Sequence, residues 1–415
     1  MRWNSGGMSS TAVDTMSWRQ ARRLLAAVDQ LPPIAVPLHA AVGAVLVAPI
    51  TAPTDIPVGD AAVDHGWAVA GQGPWTVVSA EDSGGLASLP GGHAVAVGIG
   101  DPLPEGATAV VRRGEAVIDI APHRVRLQMA DADGQPAAHP GLATFGAGIQ
   151  PQGADARQGQ RLLTAGPVVT PATVGLAAAV GRDDLTVIPP PSVTVLLPNY
   201  GLARRGPLRP GRQRDIVADL LPSWIEAGSA RLMPTVAVPA RADEIAEAVA
   251  DSSADVIVVA GGLEPGIPEA VVEAGQRLAP HPLVAGLSVA PGGETAVYPL
   301  PGERYLIALP GRPAAAAAGL AVVLEPLLAA LSGRHSTGDE VEALLSAPVA
   351  AGPVTRLVPG ILRRSELVFQ VHPQPWSGPA GMQALAAADG LIVVEAGTQT
   401  GSLVPLLPLP GVLVG

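Results

Sequence analysis

Two segments of this chain end a buried strand on glycine, a combination that could expose backbone N–H groups to a ligand. Residues 255–266 contain four consecutive β-branched residues followed closely by two adjacent glycines, and residues 304–313 repeat the design with a Pro-Gly-Arg turn. A strand that is apolar on both faces is typical of a parallel sheet covered by helices. Open α/β sheets bind ligands at the carboxyl ends of their strands, where glycine permits close approach. We therefore predict that both turns line one crevice.

The elements that would position these turns alternate between strand and helix from residue 192 onward. The patterns predict strands at 192–197, 255–259 and 304–309, and helices at 215–227, 242–250, 269–278 and 314–331. Pro222 lies inside the first of these helices, so we expect that helix to be kinked or split. This alternation is typical of a doubly wound α/β domain.

The regions on either side of this domain are β-rich. Short apolar runs between residues 34 and 170 predict strands at 77–78, 93–97, 109–111, 116–120 and 124–127. A helix is expected before them, because Ser17 and Gln20 have the spacing of a capping box. Short strands return after Ser336, most clearly at 390–394 and 403–407, and predict a small C-terminal β domain.

Composition excludes several classes of protein. The 415 residues have a net charge of −11, which argues against general nucleic-acid binding. Cysteine is absent and every cationic side chain is arginine, so disulfides, thiolate ligands and lysine Schiff bases are excluded. The most apolar run, 314–331, is interrupted by Glu325 and Pro326, which favours a buried helix over a membrane span. No targeting signal is evident, and the cytoplasm is the expected location.

Six motifs occur in a fixed order along nearly the whole chain. They are Asp101-Pro-Leu-Pro-Glu-Gly-Ala-Thr-Ala-Val-Val111, Gly153-Ala154-Asp155 with Gly159, residues 255–266, Leu309-Pro-Gly-Arg-Pro313, Ser377-Gly378 and Ala388-Asp-Gly-Leu391. Their order and spacing resemble those of the molybdopterin molybdenumtransferases, the family of bacterial MoeA and the E domain of gephyrin. The resemblance covers the family's P-L-P-E-G-A-D-A-V-V, R-G-E-D-x-x-x-G, S-G-G-V-S-V-G, L-P-G-N-P, Q-G-S-G and A-N-G-L segments.

The resemblance implies an elongated multi-domain architecture of α/β and β-rich domains. Residues 17–53 with 140–188 would form the elongated dimerisation domain, and residues 54–139 the inserted β-rich domain. Residues 189–334 would form the α/β molybdopterin-binding domain, and residues 335–415 the C-terminal β domain. A homodimer is expected, because in this family the second subunit helps to close the site.

The resemblance also implies a reaction, the insertion of molybdate into adenylylated molybdopterin with release of AMP, assisted by Mg²⁺. Molybdopterin and molybdate would be the substrates, and a phosphate-bearing small molecule is the expected partner. Matched position by position, the catalytic residues would be Asp60, Asp64, His65 and Asp155. The substrate-binding residues would be Gly100, Asp215, Gly261, Gly262, Gly266, Gly311 and Arg312. The metal ligands would be Asp155 and Glu269.

This sequence departs from the family mainly at polar positions. An ungapped match of the family's D-N-S-A-M-D-G-Y-A to residues 60–68 puts its second Asp on His65, and a shift of one residue puts it on Asp64. In the first half of the chain, the family's Asn and Ser become Ala61 and Ala62, and its Thr becomes Ile99. In the α/β domain, the T-G-D-E-L turn becomes residues 198–202 and a further Asn becomes Val217. Later in that domain, two Ser become Ala260 and Ala315, an Asp becomes Glu269, a Lys becomes Gly293 and an Asn becomes Arg312. Each lost hydrogen bond to a ligand is worth about 1 kcal/mol, and more where the ligand is charged. We therefore expect weak or lost insertion activity; the alternative is a non-catalytic dimeric scaffold or binding protein, with a possible protein partner.

Each candidate also has an ordinary structural explanation. Asp60 either serves the site or caps a helix, Asp155 is a ligand or a solvated turn residue, and His65 is a base or a packed surface residue. Glu269 follows a proline, so a position at a helix start explains it as well as metal binding does. Arg312 meets a phosphate or faces solvent. The basic segment 204–214, with five arginines, binds an anion or an acidic partner, or is a solvated loop.

Overall fold

The computed structural model describes residues 15–79, 88–121, 124–137, 143–198, 202–207, 209–211, 213–261, 267–334, 341–350, 352–364 and 368–411. They form two compact units. The larger unit takes residues 1–36, 41–47 and 186–415, and the smaller unit takes residues 37–40 and 48–185. The finer division into four domains stays a prediction.

Five of the seven α-helices in the described residues lie close to the predicted positions, and those at residues 171–179 and 382–386 were not predicted. The seven are α1 (Trp18–Ala26), α2 (Pro171–Ala179), α3 (Val217–Ala227), α4 (Ala242–Asp251), α5 (Ile267–Leu278), α6 (Pro313–Leu331) and α7 (Met382–Ala386). The capping box that precedes α1 is present, since the side chains of Ser17 and Gln20 each bond the other's backbone N–H. Of the two outcomes predicted for Pro222, a split helix is excluded, because α3 is one uninterrupted helix from Val217 to Ala227. Burial of Leu221, Trp224 and Ile225 on either side of the proline offsets its missing N–H.

The strands of the first half of the chain are short. In chain order they are β1 (Ile34–Pro37), β2 (Val45–Leu46), β3 (Ile50–Thr51), β4 (Ala61–Ala62), β5 (Gly66–Val69), β6 (Trp75–Val78), β7 (His93–Val97), β8 (Ala109–Arg112), β9 (Ala116–Ala121), β10 (Arg124–Met129), β11 (Ile149–Gln150) and β12 (Arg161–Leu163). The smaller unit is built on a six-stranded sheet of order β8-β5-β7-β6-β10-β9. Its core includes Trp67, Trp75 and Leu127. Two further pairs, β11-β4 and β12-β3, form separate two-stranded sheets.

The second half of the chain contributes the remaining strands. They are β13 (Asp184–Ile188), β14 (Ser192–Pro198), β15 (Arg231–Leu232), β16 (Val236–Val238), β17 (Val256–Ala260), β18 (Val289–Ala290), β19 (Ala296–Leu300), β20 (Arg304–Leu309), β21 (Val341–Leu345), β22 (Thr355–Arg364), β23 (Phe369–Pro373), β24 (Gly390–Val394) and β25 (Leu403–Pro408). A small sheet has the order β1-β13-β2.

The central sheet of the larger unit is doubly wound, as predicted. Its order is β15-β14-β17-β20-β19, with β16 also paired to β14, and all but β19 are parallel. Alternate side chains of β17 enter two different cores: Val256 and Val258 pack with α3 and α6, whereas Ile257 and Val259 pack with α4 and α5. The sheet is therefore covered by helices on both faces, and the carboxyl ends of β14, β17 and β20 share one edge.

The longest helix, α6, is a core element. It is the one helix in the described part of the chain that is long and apolar enough to cross a membrane. However, 83% of its most apolar 18-residue segment is buried inside the protein. It packs on α1 and α3.

The C-terminal sheet closes on itself. Its order is β18-β22-β23-β21-β25-β24, and β22 also pairs with β24, which joins five of the strands into a ring. The ring encloses a core that includes Leu345, Val371, Ile392 and Leu406. Closure leaves the five strands of the ring without a free edge.

Candidate functional site

In the smaller unit, three segments that carry family motifs lie together. Asp60 links them: its Oδ1 accepts a hydrogen bond from the Gln152 amide at 2.9 Å, and its carbonyl accepts from the Leu103 amide at 2.8 Å. Ala62 pairs with Ile149 in the β4-β11 ladder. The residues around 60, 100 and 150 therefore form one loop cluster, and Asp60 organises this cluster rather than capping a helix.

Two of the polar candidates in this cluster are already partnered. Asp64 forms an ion pair with Arg112, with 2.6 Å between the Asp64 Oδ2 and the Arg112 Nε. The Gly100 amide donates to the Ala62 carbonyl at 2.8 Å, and its φ of +80° favours glycine. The Gly100 N–H group is therefore occupied within the loop cluster.

His65 and Asp155 are the exposed candidates. His65 accepts a backbone hydrogen bond from Arg113 through its carbonyl at 3.2 Å, and its ring lies beside Gly98. The Asp155 amide donates to the Ile56 carbonyl at 2.9 Å, while the carboxylate has no hydrogen bond or ion pair with another described residue. Both side chains are thus accessible to a ligand from solvent.

Sequence reasoning missed Asp55. Its two carboxylate oxygens accept from the Gln152 side chain at 2.8 Å and the Gln158 amide at 2.7 Å, and they lie next to Gly153. Asp55 therefore fixes the shape of the segment that carries Asp155. The available signal was its place two residues before Pro57 in a segment that also contains Gly59, a common setting for a carboxylate that bonds nearby amides.

In the larger unit, Asp215 is buried and holds the start of α3. Its Oδ1 accepts from the Ala218 amide at 3.1 Å, and its Oδ2 lies 4.0 Å from the Arg204 Nε. Arg214 forms a second ion pair, at 2.9 Å, with Asp219. Two of the arginines in segment 204–214 are therefore held by carboxylates of the same unit, while Arg212 lies outside the described residues.

At the carboxyl end of β17, the Gly261 backbone N–H is less available to a ligand than the sequence indicates. The amide of Gly261 donates to the Leu309 carbonyl at 2.6 Å, so this N–H is used between neighbouring strands and is not open to a ligand. A side chain at position 261 would press on the same carbonyl and on Pro268, which explains the glycine. Gly262 and Gly266 lie outside the described residues.

Arg312 sits at the position that precedes α6, next to Gly311. Its carbonyl accepts the Ala316 amide at 2.9 Å, and its Nη2 lies 3.2 Å from the Oε1 of Glu294. Both side chains of this pair are mostly exposed, at 69% and 62%. The guanidinium therefore points to solvent at the helix start, with its charge partly offset by Glu294.

The turn at residues 291–295 packs against α6. A Cβ at Gly293 would lie 2.9 Å from the Val289 carbonyl oxygen and 3.0 Å from that of Leu287. Position 293 therefore has no room for a side chain in this arrangement. A Cβ at Gly292 would lie 2.9 Å from the backbone nitrogen of Gly319 in α6, so the turn is close-packed on both sides.

The two predicted metal ligands belong to different units. Glu269 is exposed in the first turn of α5, where a carboxylate complements the helix dipole. Among the residues that the structure describes, no group of three or more histidine and acidic side chains could hold a metal ion. The described residues do not by themselves fit a Mg²⁺ site.

The comparisons with known proteins decide the family. Models of the MoeA N-terminal region (domains I and II), a probable molybdopterin binding domain and the MoeA C-terminal region (domain IV) match residues 16–181, 194–330 and 338–409. A Mycobacterium tuberculosis protein named molybdopterin molybdenumtransferase 2 is 30% identical over 407 residues, which cover 88% of this chain and 94% of that protein. The chain belongs to the MoeA family.

Further MoeA relatives agree with this assignment. The Bacillus subtilis molybdopterin molybdenumtransferase is 25% identical over 74% of this chain and 70% of its own length. The crystal structure of a MoeA protein from Pyrococcus horikoshii covers 95% of this chain and 99% of its own, with a TM-score of 0.68 and 20% identity. A molybdenum cofactor biosynthesis protein from Pyrococcus furiosus covers 94% and 99%, with a TM-score of 0.52 and 15% identity. These two structures show that the chain has the MoeA fold.

Proposed function

We propose that this chain is a molybdopterin-binding protein of molybdenum cofactor biosynthesis in which insertion of molybdate into adenylylated molybdopterin is weak or lost. Family membership supports the place in cofactor biosynthesis, and the match to the probable molybdopterin binding domain supports the ligand. The loss of activity is supported by the polar positions of the site.

The turn at Gly293 carries this proposal. The family resemblance puts a lysine there, and the carbonyl oxygens of Leu287 and Val289 leave no space for any side chain. The sequence contains no lysine elsewhere that could substitute for it. A lysine ammonium is the usual point charge for a phosphate or a molybdate anion, so its absence removes stabilisation that the reaction needs.

The neighbouring replacements act in the same direction. Ala260 and Ala315, which stand where the family has serines, are both buried, Ala260 in the core that contains α3 and α6, and neither presents a hydroxyl. Arg312, which stands where the family has an asparagine, adds a positive charge, but Glu294 partly offsets it. Among the described residues, positions 260 and 315 therefore contribute no neutral side-chain donor at this edge of the sheet.

A scaffold or binding role is the second candidate. Its support is that the MoeA models match from residue 16 to residue 409 while the polar side chains of the site are replaced. A protein that keeps the architecture and loses the reactive groups can still present surfaces to a protein partner.

The decisive experiment has two readouts on the full chain. Titration with molybdopterin and with adenylylated molybdopterin measures binding, and an insertion assay with molybdate measures AMP release. Binding with insertion slower by about a hundredfold or more than an intact MoeA control supports the proposal. Insertion at the control's rate contradicts it, and the absence of both binding and insertion favours the scaffold.

We also propose a homodimer, on the strength of the family resemblance. Sedimentation velocity at micromolar concentration should give a single species of twice the 41.6 kDa chain mass. A monomer alone across that range would contradict the dimer without bearing on ligand binding.

A further inference from the structure

A cavity of about 270 Å³ lies in the larger unit at the second half of α6. The end of α3 and the end of β25 form its other walls. The lining is largely apolar and includes Trp224, Leu320, Leu324, Leu328 and Leu409. The volume is slightly below the roughly 300–1,000 Å³ of pockets that hold drug-sized ligands, so its ligand would be small.

The cavity is separate from the family site. The helix α6 begins beside Arg312, at the carboxyl edge of the central sheet, and Leu324 is twelve residues further along it. At 1.5 Å per residue, this places the cavity roughly 18 Å along the helix from that edge.

Three charged side chains also line the cavity, and two of them neutralise each other. Arg22 reaches Glu325 with 2.7 Å between Nη2 and Oε2, and its Nη1 lies 3.4 Å from the Ala321 carbonyl. Arg334 is the third. It donates through Nε to the Ser332 hydroxyl at 2.9 Å and has no carboxylate of the described chain within 4 Å. The lining therefore carries one positive charge in excess.

Arg334 is poorly solvated for a cation. Burial lowers the pKa of its guanidinium, and the more distant Glu325 acts in the opposite direction. The charge is retained, because arginine stays protonated in proteins. A half-buried cation without a direct ion partner is stabilised by an anion that binds beside it inside the cavity, where water is largely excluded.

We propose that this cavity binds a small amphipathic carboxylate, with its hydrocarbon part against Leu324 and Leu328 and its carboxylate on Arg334. The planar guanidinium matches a carboxylate in a paired geometry. The apolar walls favour a hydrocarbon tail over an inorganic anion. This site is independent of the proposed molybdopterin crevice.

The test uses sodium octanoate as the probe and calorimetric titration of the full chain as the measurement. Octan-1-ol has the same tail without the charge, and acetate has the charge without the tail. We expect saturable octanoate binding. Octanol should bind more weakly by roughly tenfold or more because it loses a hydrogen bond to a charged group, and acetate should bind more weakly by a similar factor or more because it lacks the apolar tail. Equal binding of octanol and octanoate would overturn the proposal.

Variants assign the site. Arg334→Gln should weaken octanoate binding by about tenfold or more, and Arg334→Lys, which keeps the charge but not the planar fork, should bind with an affinity between those of the parent and Arg334→Gln. Arg363→Gln is the matched control, since Arg363 is an exposed arginine of the C-terminal sheet. Circular dichroism checks that each variant is folded. Unchanged binding in folded Arg334→Gln, or equal loss in the Arg363 control, would overturn the proposal.

A variant that ends at Gly411 tests the competing occupant, residues 412–415 of the chain itself. These follow Pro410, a lining residue, and lie outside the described structure. Octanoate binding of equal strength to the full and shortened chains supports a small-molecule site. Binding that occurs only after shortening would show that the chain itself occupies the cavity and would overturn the proposal.

Discussion

The carboxylate of Asp255 accepts two hydrogen bonds from Ser192, one from its amide at 2.7 Å and one from its hydroxyl at 2.5 Å. The Asp255 amide returns a bond to the same hydroxyl at 3.1 Å. These residues stand at the amino ends of the neighbouring parallel strands β14 and β17, whose register runs from Val193 opposite Val256. The pair therefore fixes the alignment of the two strands that lead to the crevice.

Replacing Ser192 with alanine should destabilise the protein by about 1.5–3 kcal/mol, because a part-buried carboxylate loses its hydroxyl donor. Urea unfolding measures the change. Ser223→Ala is the control: its exposed hydroxyl bonds only the carbonyl of Asp219 in its own helix, so we expect a change within about 0.5 kcal/mol. Equal effects in the two variants would show that the Ser192–Asp255 pair does not stabilise the sheet.

Restoring a side chain at Gly293 should destabilise the turn rather than recover activity. Gly293→Ala and Gly293→Lys are expected to cost about 1–3 kcal/mol, since the new Cβ would press on two carbonyl oxygens. The matched control is Gly114→Ala, where an added Cβ meets nothing within 4 Å. Thermal unfolding compares the three. A stable Gly293→Lys protein with restored AMP release would mean that the turn opens readily and that the lost lysine alone limits the reaction.

Anion binding at the start of α6 should depend on the Arg312–Glu294 pair. We expect inorganic phosphate to bind weakly to the parent protein and more weakly to Arg312→Ala. The Glu294→Gln variant should bind phosphate roughly two- to fivefold more tightly, because it frees Arg312 from an exposed ion pair worth about 0.2–1 kcal/mol. Raising the salt concentration should weaken binding, since exposed charges are screened over about 8 Å at physiological ionic strength. Arg204→Ala and Arg205→Ala test the basic segment by the same titration. If none of these changes alters phosphate binding, neither Arg312 nor the segment is an anion site.

Stability at alkaline pH should depend on two tyrosines, the buried Tyr298 and the partly buried Tyr305. Burial raises the pKa of Tyr298, and burial together with the charges of Glu303 and Asp29 raises the pKa of Tyr305, from a usual value of 10.0. Each contributes stability that is fully present below about pH 10 and is lost as the pH rises further, because the unfolded chain ionises first. With no lysine to titrate in this range, the loss should be clear. Urea unfolding at about pH 8 and pH 10.5 measures it. Tyr298→Phe should reduce the loss, and a loss of the same size in that variant would exclude Tyr298 as its source.

The doubly wound sheet could be predicted because its signals are local. A strand buried on both faces, such as 256–260, is indicated by consecutive apolar residues, and the glycines after it mark its end. Pro222 shows the limit of such signals. The local rule predicted that α3 is kinked or split at the proline, whereas one helix continues through it with Leu221 and Trp224 buried on either side.

The candidate site was less predictable, because its geometry depends on contacts between distant residues. Motif matching identified Asp60 and Asp64, but not that Asp60 bonds Gln152 or that Arg112 pairs with Asp64. Likewise, the engagement of the Gly261 amide by Leu309 depends on strand pairing. The ring closure of β22 on β24 has no local signature either, since it joins segments about thirty residues apart.

Alternate side chains of β17 belong to two cores that the sheet keeps apart. A void left by a smaller residue at Val258 opens beside α3 and α6, and a larger residue at Ile257 or Val259 cannot fill it, since those side chains lie among α4 and α5. Compensation for such a change must come from the same layer. Sequence drift can thus proceed independently in the two layers, and a redesign of one can leave the other untouched.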